Sequence, residues 1–446
     1  MLLSQLRLSK YFQRNKNAVI FLSFSIFFIS FYTNLSYLFK SPTQLAFFPP
    51  FIEGLNHNYN SHLGAEYYFI AQALAAGKGF SNPFQADTGP TAWMPPLYPF
   101  ILAFLIKLFH RTFLVTCIIV FLKNIILIQT GLIIYEISKE KVTVIKAELT
   151  LFIYLVWLLT YYRWFFQLTH DEWLLLFFIN AIFLLAILLK KNQITLKTTI
   201  AWGVLGGLSI LASPIVGLVW GILWLFISLI RKNFPLAILS ALIFFLFCSS
   251  WTIRNYFVFN KFIFIKSNFF FDAYHTNHEI KNGLYDESFG NIHPVWTVKN
   301  DPDSVYKRLG EVKFLEIYKE KYLNEIRNNP YTYMLNIMNR FCAALFVYHP
   351  YDIYERFIVL KSILHPLPII SIFLIVFLKK YKDSAYIIIT IMIYSIYLIP
   401  YILVSYYIRY SIPLTSLKIL LIFWGINSVV SRFPKFSTFL MPKLSS

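Results

Sequence analysis

Long apolar runs, separated by short basic stretches, set the pattern of this chain. Ten such runs are long enough to be read as membrane spans, at about 18–39, 112–135, 147–167, 173–189, 198–212, 215–230, 235–252, 357–378, 384–403 and 412–430. Basic clusters fall between them: Arg7, Lys10, Arg14 and Lys16; then Lys139, Lys141 and Lys146; then Lys190, Lys191 and Lys197; then Arg231 and Lys232; then Lys379, Lys380 and Lys382; finally Arg432, Lys435 and Lys443. With every cluster on one side, the runs between them fit a whole number of crossings. The positive-inside rule puts that side, with both termini, in the cytoplasm. The first run is too long for a signal-peptide core and lacks a small-residue cleavage site after it, so it is expected to be a retained helix.

Two segments break the pattern, 40–111 and 251–356. Both are more polar and rich in Gly, Pro, Asn and aromatic residues. Within the first, 64–76 reads as a short amphipathic helix stopped by Gly77 and Gly79. Thr88, Gly89 and Pro90 make a turn, and Pro95 and Pro96 open a further helix, 97–109, expected along the interface. In the second, 303–328 reads as a solvated helix of alternating charge that stops before Pro330. The division that follows is an N-terminal bundle, 1–252, carrying the external loop 40–111; an external segment, 253–356; and C-terminal helices with a cytoplasmic tail, 357–446.

Composition narrows the class. At 58% hydrophobic, 20% aromatic and 14% charged, 446 residues cannot hide their apolar surface in one soluble core. The fold class expected is all-α and polytopic, about ten transmembrane helices in a multi-pass membrane protein. A net charge of +19 would point to nucleic acid in a soluble protein, but here the basic residues punctuate apolar runs, so no nucleic-acid partner is expected. Cys117, Cys248 and Cys342 are scattered, with neither a disulfide framework nor metal-ligand spacing. No Gly-rich phosphate loop follows a strand, which leaves nucleotide chemistry without support.

Ionisable residues on the outer side are the candidate chemistry. Glu66 stands at the start of the loop helix, and Asp87 precedes the Thr-Gly-Pro turn, where an Asp commonly forms the turn. His170, Asp171 and Glu172 crowd the outer turn between the third and fourth spans. Asp171 or Glu172 could orient a substrate, hold a divalent cation (Mg2+ or Mn2+) or raise a neighbouring pKa, and Asp171 could equally cap the fourth span. Arg254, Arg340 and Arg409 sit where spans meet the outside, suited to grip phosphate oxygens or to snorkel to headgroups. His275, His278 and Glu279 have helical spacing but no companion ligand, so no metal site is assigned. Phe269, Phe270 and Phe271 suit packing or membrane contact, while Trp93 and Tyr98 suit sugar stacking or interface anchoring.

Both loops also carry a likeness. The stretch 66–81, EYYFIAQALAAGKGFS, and then 88–99, TGPTAWMPPLYP, resemble the first external loop of the C-type glycosyltransferases that use polyprenyl-phosphate sugars, relatives of the protein O-mannosyltransferases and lipid A aminoarabinose transferases. WTIRNY at 251–256, FIKSN at 264–268, His293-Pro294, Gly310-Glu311, Asn329-Pro330-Tyr331 with Arg340, and Arg409-Tyr410 resemble the rest of that family's external framework. The resemblance implies a C-type glycosyltransferase-like fold in a bacterial or archaeal cytoplasmic (inner) membrane. The implied activity is inverting transfer of a sugar from a polyprenyl-phosphate donor to a glycan, lipid or protein acceptor on the outer face. Glu66 takes the place of the loop base, where the family carries Asp or an Asp-Glu pair and this chain has Gly64-Ala65-Glu66, with Asp87 the competing acid. Asp171 and Glu172 match its second acid. Arg254, Lys266, Arg340 and Arg409 match its donor-phosphate contacts, Lys266 standing where related sequences carry Arg. A sugar transferred outside cannot come from a cytoplasmic nucleotide donor, so a lipid-linked donor is physically consistent. Other classes stay open: an O-antigen polymerase or ligase, working through external Arg and His; a transporter, for which Ser213-Pro214, Pro366 and Pro368 would be helix breaks; and a non-catalytic receptor or scaffold.

Overall fold

The structure is a computed structural model that describes residues 16–39, 65–84, 86–110, 112–141, 147–167, 170–191, 194–278, 280–285, 292–301, 303–350, 356–378 and 384–432. Its helices, in chain order, begin with α1 (Lys16–Phe39), α2 (Ala65–Ala75), α3 (Leu97–Phe109), α4 (Thr112–Lys141) and α5 (Glu148–Thr160). A π-helical turn, Arg163–Gln167, leads to α6 (Glu172–Lys191), α7 (Leu196–Ala212), α8 (Pro214–Arg231) and α9 (Phe234–Phe259). Then come α10 (Phe269–His278), α11 (Pro294–Asn300), α12 (Val305–Asn328) and α13 (Pro330–Leu345). They are followed by α14 (Ile358–Leu364), α15 (Leu367–Phe377), α16 (Ala385–Leu403), a 3-10 segment Ile408–Leu414, and α17 (Thr415–Arg432). Among the described residues no strand forms, only isolated bridges between Ser81 and Pro90 and between Leu284 and Tyr406.

Eight of the described helices are long and apolar enough to cross a membrane: α1, α4, α6, α8, α9, α14 with α15, α16, and the 3-10 segment with α17. The chain is thus an all-α, multi-pass membrane protein. The other two expected spans appear as α5 and α7, apolar but shorter. The third run is shortened because α5 gives way to the π-turn, and the expected helix 303–328 is broken at Gly310, whose φ of +74° only glycine adopts readily. Helix ends follow local chemistry. Thr195 and Thr198 close a capping box at the start of α7, Pro214 occupies the first turn of α8, and α3, α8 and α9 stop on left-handed His110, Lys232 and Asn260.

Burial separates the helices. α6 and α17 form the centre of the bundle, whereas α1 and α9 turn mostly outward, as lipid-facing helices do. A polar seam joins the central pair to α4: Asn180 Nδ2 donates to Thr130 Oγ1 (2.9 Å), and Ser416 Oγ donates to Asn180 Oδ1 (2.5 Å). Two lysines lie inside this core. Lys123 Nζ donates to the Trp164 carbonyl (3.1 Å), and Lys418 Nζ sits 5.6 Å from the Trp157 ring centroid.

α7 crosses α9 closely. Gly203 and Gly207, four residues apart on one face of α7, let the α9 backbone come close; a Cβ on Gly207 would lie 2.4 Å from the Phe247 ring, and one on Gly203 would lie 2.8 Å from the Ser240 carbonyl. Gly206, on the other face, lies under the Trp220 indole. Gly207→Val should therefore separate α7 from α9 at an overpacking cost of about 1–3 kcal/mol. Thermal unfolding of the purified chain in detergent should show a lower midpoint than Gly221→Ala, where a Cβ meets nothing within 4 Å.

Candidate functional site

A group of buried ionisable residues converges at one end of the bundle. There α6, α8 and the 3-10 segment begin, α7 and α16 end, and α2, the 92–96 turn and α10 close over them. The cleft between these elements has a volume of about 300 Å³ and is lined by Glu66, Asp171, Glu172, Lys266, Asp272, His293 and Arg409, with a wall of tyrosines from Tyr397 to Tyr410. Lys190, Lys191, Arg231, Lys232 and Arg432 lie at the opposite ends of α6, α8 and α17.

Glu66 is held in the first turn of α2, where Tyr67, Tyr68 and Ile70 also pack inward. The carboxyl is buried, and its pKa is raised from 4.5 to about 7. Burial is the main cause; hydrogen bonding to backbone and Arg409 oppose it, and Asp272 and Asp171 add to it. His293 Nε2 lies 3.4 Å from Glu66 Oε1. His293 is the N-cap of α11, its Nδ1 accepting from the Val295 amide (3.3 Å), so in the neutral ring the hydrogen belongs on Nε2, the nitrogen near Glu66. Phe84, Trp93 and Phe271 box the ring edge-on. Burial, helped by nearby His275, lowers its pKa to about 3, so it is neutral at pH 7.

The opposite wall is built around Arg409. Its Nη2 donates to Asp171 Oδ1 (3.1 Å), its Nε to Glu172, and its Nη1 to the Tyr407 hydroxyl (3.0 Å). Tyr67 OH donates to the second oxygen of Asp171 (3.0 Å), tying α2 to this cluster. Capping of α6 is shared out differently from a side-chain cap: the Asp171 carbonyl accepts from Leu174 and Leu175, while its carboxylate turns to Arg409 and Tyr67. Among the described residues no three His, Cys, Asp or Glu side chains converge closely enough to hold a metal ion.

Lys266 reaches the cleft from a strained turn. Ile265 has φ +59°, a rare conformation for a β-branched residue, and its buried carbonyl is pinned by Trp251 Nε1 (3.0 Å) and Asn255 Nδ2 (3.4 Å). Beside Lys266 stands Asp272, whose pKa burial raises from 3.8 to about 6, with Lys266 and the Tyr285 hydroxyl opposing the rise. Sequence reasoning missed Asp272 and His293 as site residues. The available signal for Asp272 was a lone acid directly after three phenylalanines; for His293 it was a His-Pro start to a helix.

The remaining candidates lie elsewhere. Asp87 is exposed and accepts from Asn82 Nδ2 (2.9 Å) within its turn. Arg254 spans from α9 to the first loop, donating to the carbonyls of Thr91 (2.8 Å) and Phe80 (3.0 Å). Arg340, buried in α13, donates to Ile402 O (2.8 Å), Leu403 O (3.2 Å) and Asn277 Oδ1 (3.2 Å), and burial lowers its guanidinium to about 10. Trp93 and Tyr98 are core residues, and His278 pairs with Glu325 (3.1 Å), while Glu279 lies outside the described residues. Glu311 emerges as a hub. It accepts from Thr91 and Tyr306 (2.9 Å) hydroxyls, the Ala92 amide (2.8 Å) and Ser267 (2.7 Å), joining the first loop, α12 and the Lys266 turn. Comparison with family models, with curated proteins and with solved structures finds no match.

Arg409 compensates two buried carboxylates at once, so Arg409→Met should cost about 3–5 kcal/mol through the charges left behind. Thermal unfolding in detergent should show the loss. Adding Asp171→Asn and Glu172→Gln to that variant should recover much of it, because the uncompensated charges are then gone.

Proposed function

We propose that this protein transfers a sugar from a polyprenyl-phosphate donor to an acceptor at the outer face of a bacterial or archaeal cytoplasmic membrane, with inversion. In this reading α5 and α7 also cross, giving ten spans of C-type glycosyltransferase-like arrangement, and both termini are cytoplasmic. The observation that carries it is Glu66: a buried carboxyl poised near neutral pH, with neutral His293 3.4 Å from one oxygen, facing a cleft that also holds Lys266. The likeness of the loop sequences around Glu66 and Lys266 to polyprenyl-phosphate-sugar transferases supports it, as does the placing of the cleft opposite the basic ends.

The chemistry is one displacement. The acceptor oxygen attacks the anomeric carbon, Glu66 takes its proton, and the bond from that carbon to the phosphate oxygen breaks as its electron pair leaves with polyprenyl phosphate. A single displacement inverts the anomeric configuration. Lys266 is the ammonium within the cleft available to the leaving phosphate, since Arg409 is held between Asp171 and Glu172. That same engagement makes Asp171 and Glu172 a poor pair for a divalent cation, and no step is routed through one. A transporter is the second reading. It is favoured by the break at Ser213-Pro214 beside the cleft and by Lys123 and Lys418 within the spans, and it predicts solute flux without consumption of any lipid-linked donor.

Glu66→Gln should lower turnover of a radiolabelled polyprenyl-phosphate sugar by about 10²–10⁴-fold. The base must be ionised, so wild-type kcat/KM should fall as pH drops below about 7, the raised pKa of Glu66. Stability moves the other way. The folded state holds this proton more tightly than the unfolded chain, so folding weakens as pH rises from about 4.5 to 7 and then levels off. Glu66→Gln should remove the part of that dependence lying closest to pH 7, leaving the part due to Asp272 at lower pH, and should unfold no earlier than wild type at pH 8. Turnover that survives the substitution would sink Glu66 as the base.

A further inference from the structure

Resting on the transfer reaction just proposed, we infer that the acceptor presents a neutral hydroxyl to the cleft, and that phosphate and carboxylate acceptors are turned away. The inference comes from the charges on the lining. Four carboxyl groups, Glu66, Asp171, Glu172 and Asp272, face a space of about 300 Å³ that has two Lys or Arg side chains, Lys266 and Arg409. Arg409 is already engaged by both Asp171 and Glu172. Lys266 stands beside Asp272 and is the cation left for the donor's phosphate. A second anion entering from the acceptor side would meet Glu66 and Asp272 with no Lys or Arg left to match it, and like charges brought together in a desolvated site are strongly disfavoured.

The base points the same way. A phosphate or carboxylate nucleophile is already ionised at neutral pH and needs no proton removed. A hydroxyl keeps its proton until it attacks, and a carboxylate held dry at its edge is of use only to such a group. In the balanced step the acceptor O–H bond breaks, its proton goes to Glu66, a new bond forms from the acceptor oxygen to the anomeric carbon, and the electron pair of the old carbon–oxygen bond leaves on the lipid phosphate. The tyrosine wall suits a polyhydroxylated acceptor, since tyrosine offers an apolar ring face for stacking and a hydroxyl for hydrogen bonding.

The test uses the full chain in phosphatidylcholine nanodiscs with a radiolabelled polyprenyl-phosphate sugar and two matched acceptors, octyl glucoside and octyl phosphate, at equal concentration. Label should reach octyl glucoside at least about tenfold faster, the ratio that a single like-charge penalty of modest size produces. Donor consumed with label entering octyl phosphate equally or faster would overturn the inference while leaving the transferase reading intact. Donor consumed with neither acceptor would remove the transferase reading, and the inference with it. Asp272→Asn provides the second arm: removing one facing negative charge should narrow the ratio several-fold in favour of octyl phosphate. An unchanged ratio would show that charge on the lining does not choose the acceptor.

Discussion

The contact of Arg409 with Asp171 and Glu172 is the interaction on which the arrangement of the cleft depends. Two adjacent acids at the start of a central helix would be intolerable in a membrane bundle without a matching cation. Arg409, carried 237 residues further along the chain, supplies it, and the 3-10 segment that bears Arg409 is thereby locked against α6. Tyr67 extends the same network to α2 by its bond to Asp171. The position of Glu66, one residue before Tyr67, is therefore set by an ion cluster on the other wall. A shift in any one of these four side chains is felt by the others.

A second layer of buried polar ties holds the elements that cover the cleft. Glu311 gathers the first loop, the Lys266 turn and α12 onto one carboxylate, while Arg254 and Arg340 spend their guanidinium forks on main-chain carbonyls. The Ile402 and Leu403 carbonyls sit where α16 ends and those of Phe80 and Thr91 in the first loop, places where helical hydrogen bonding does not continue and an arginine can close bonds that lipid cannot. This division of labour explains why the arginines near the cleft end of the bundle need not all face a ligand. Arg340 stitches α13 to the end of α16, Arg254 stitches α9 to the first loop, and the cleft between them is left to Lys266.

Much of the architecture was legible because bilayer thickness and backbone hydrogen bonding leave few ways to write a span. Runs at 173–189 and 384–403 correspond closely to Glu172–Lys191 and Ala385–Leu403, and 97–109 matches Leu97–Phe109. The misses have local causes: the π-turn after α5 and the left-handed Gly310 are backbone events with no hydrophobic signature. In the site, Glu66, Asp171, Glu172, Lys266 and Arg409 do share one cleft, because each stands at a helix start or loop that the topology sends to the same end. Asp87, Arg254 and Arg340 stand at that end too but face elsewhere, a distinction of side-chain direction that spacing along the chain does not carry. Asp272 was masked by its aromatic surroundings. A run of three phenylalanines reads as packing or membrane contact, and in the structure Phe271 is buried while burial beside it raises the proton affinity of the acid.

His293 shows how the external segment enters the chemistry under the proposed function. With Nδ1 fixed by the start of α11 and the ring boxed by Phe84, Trp93 and Phe271, Nε2 is held 3.4 Å from Glu66 Oε1. Because the His293 ring is neutral, it stands beside Glu66 without adding a positive charge that would pull the carboxyl back toward its ordinary acidity. Burial can therefore hold the proposed base near neutrality.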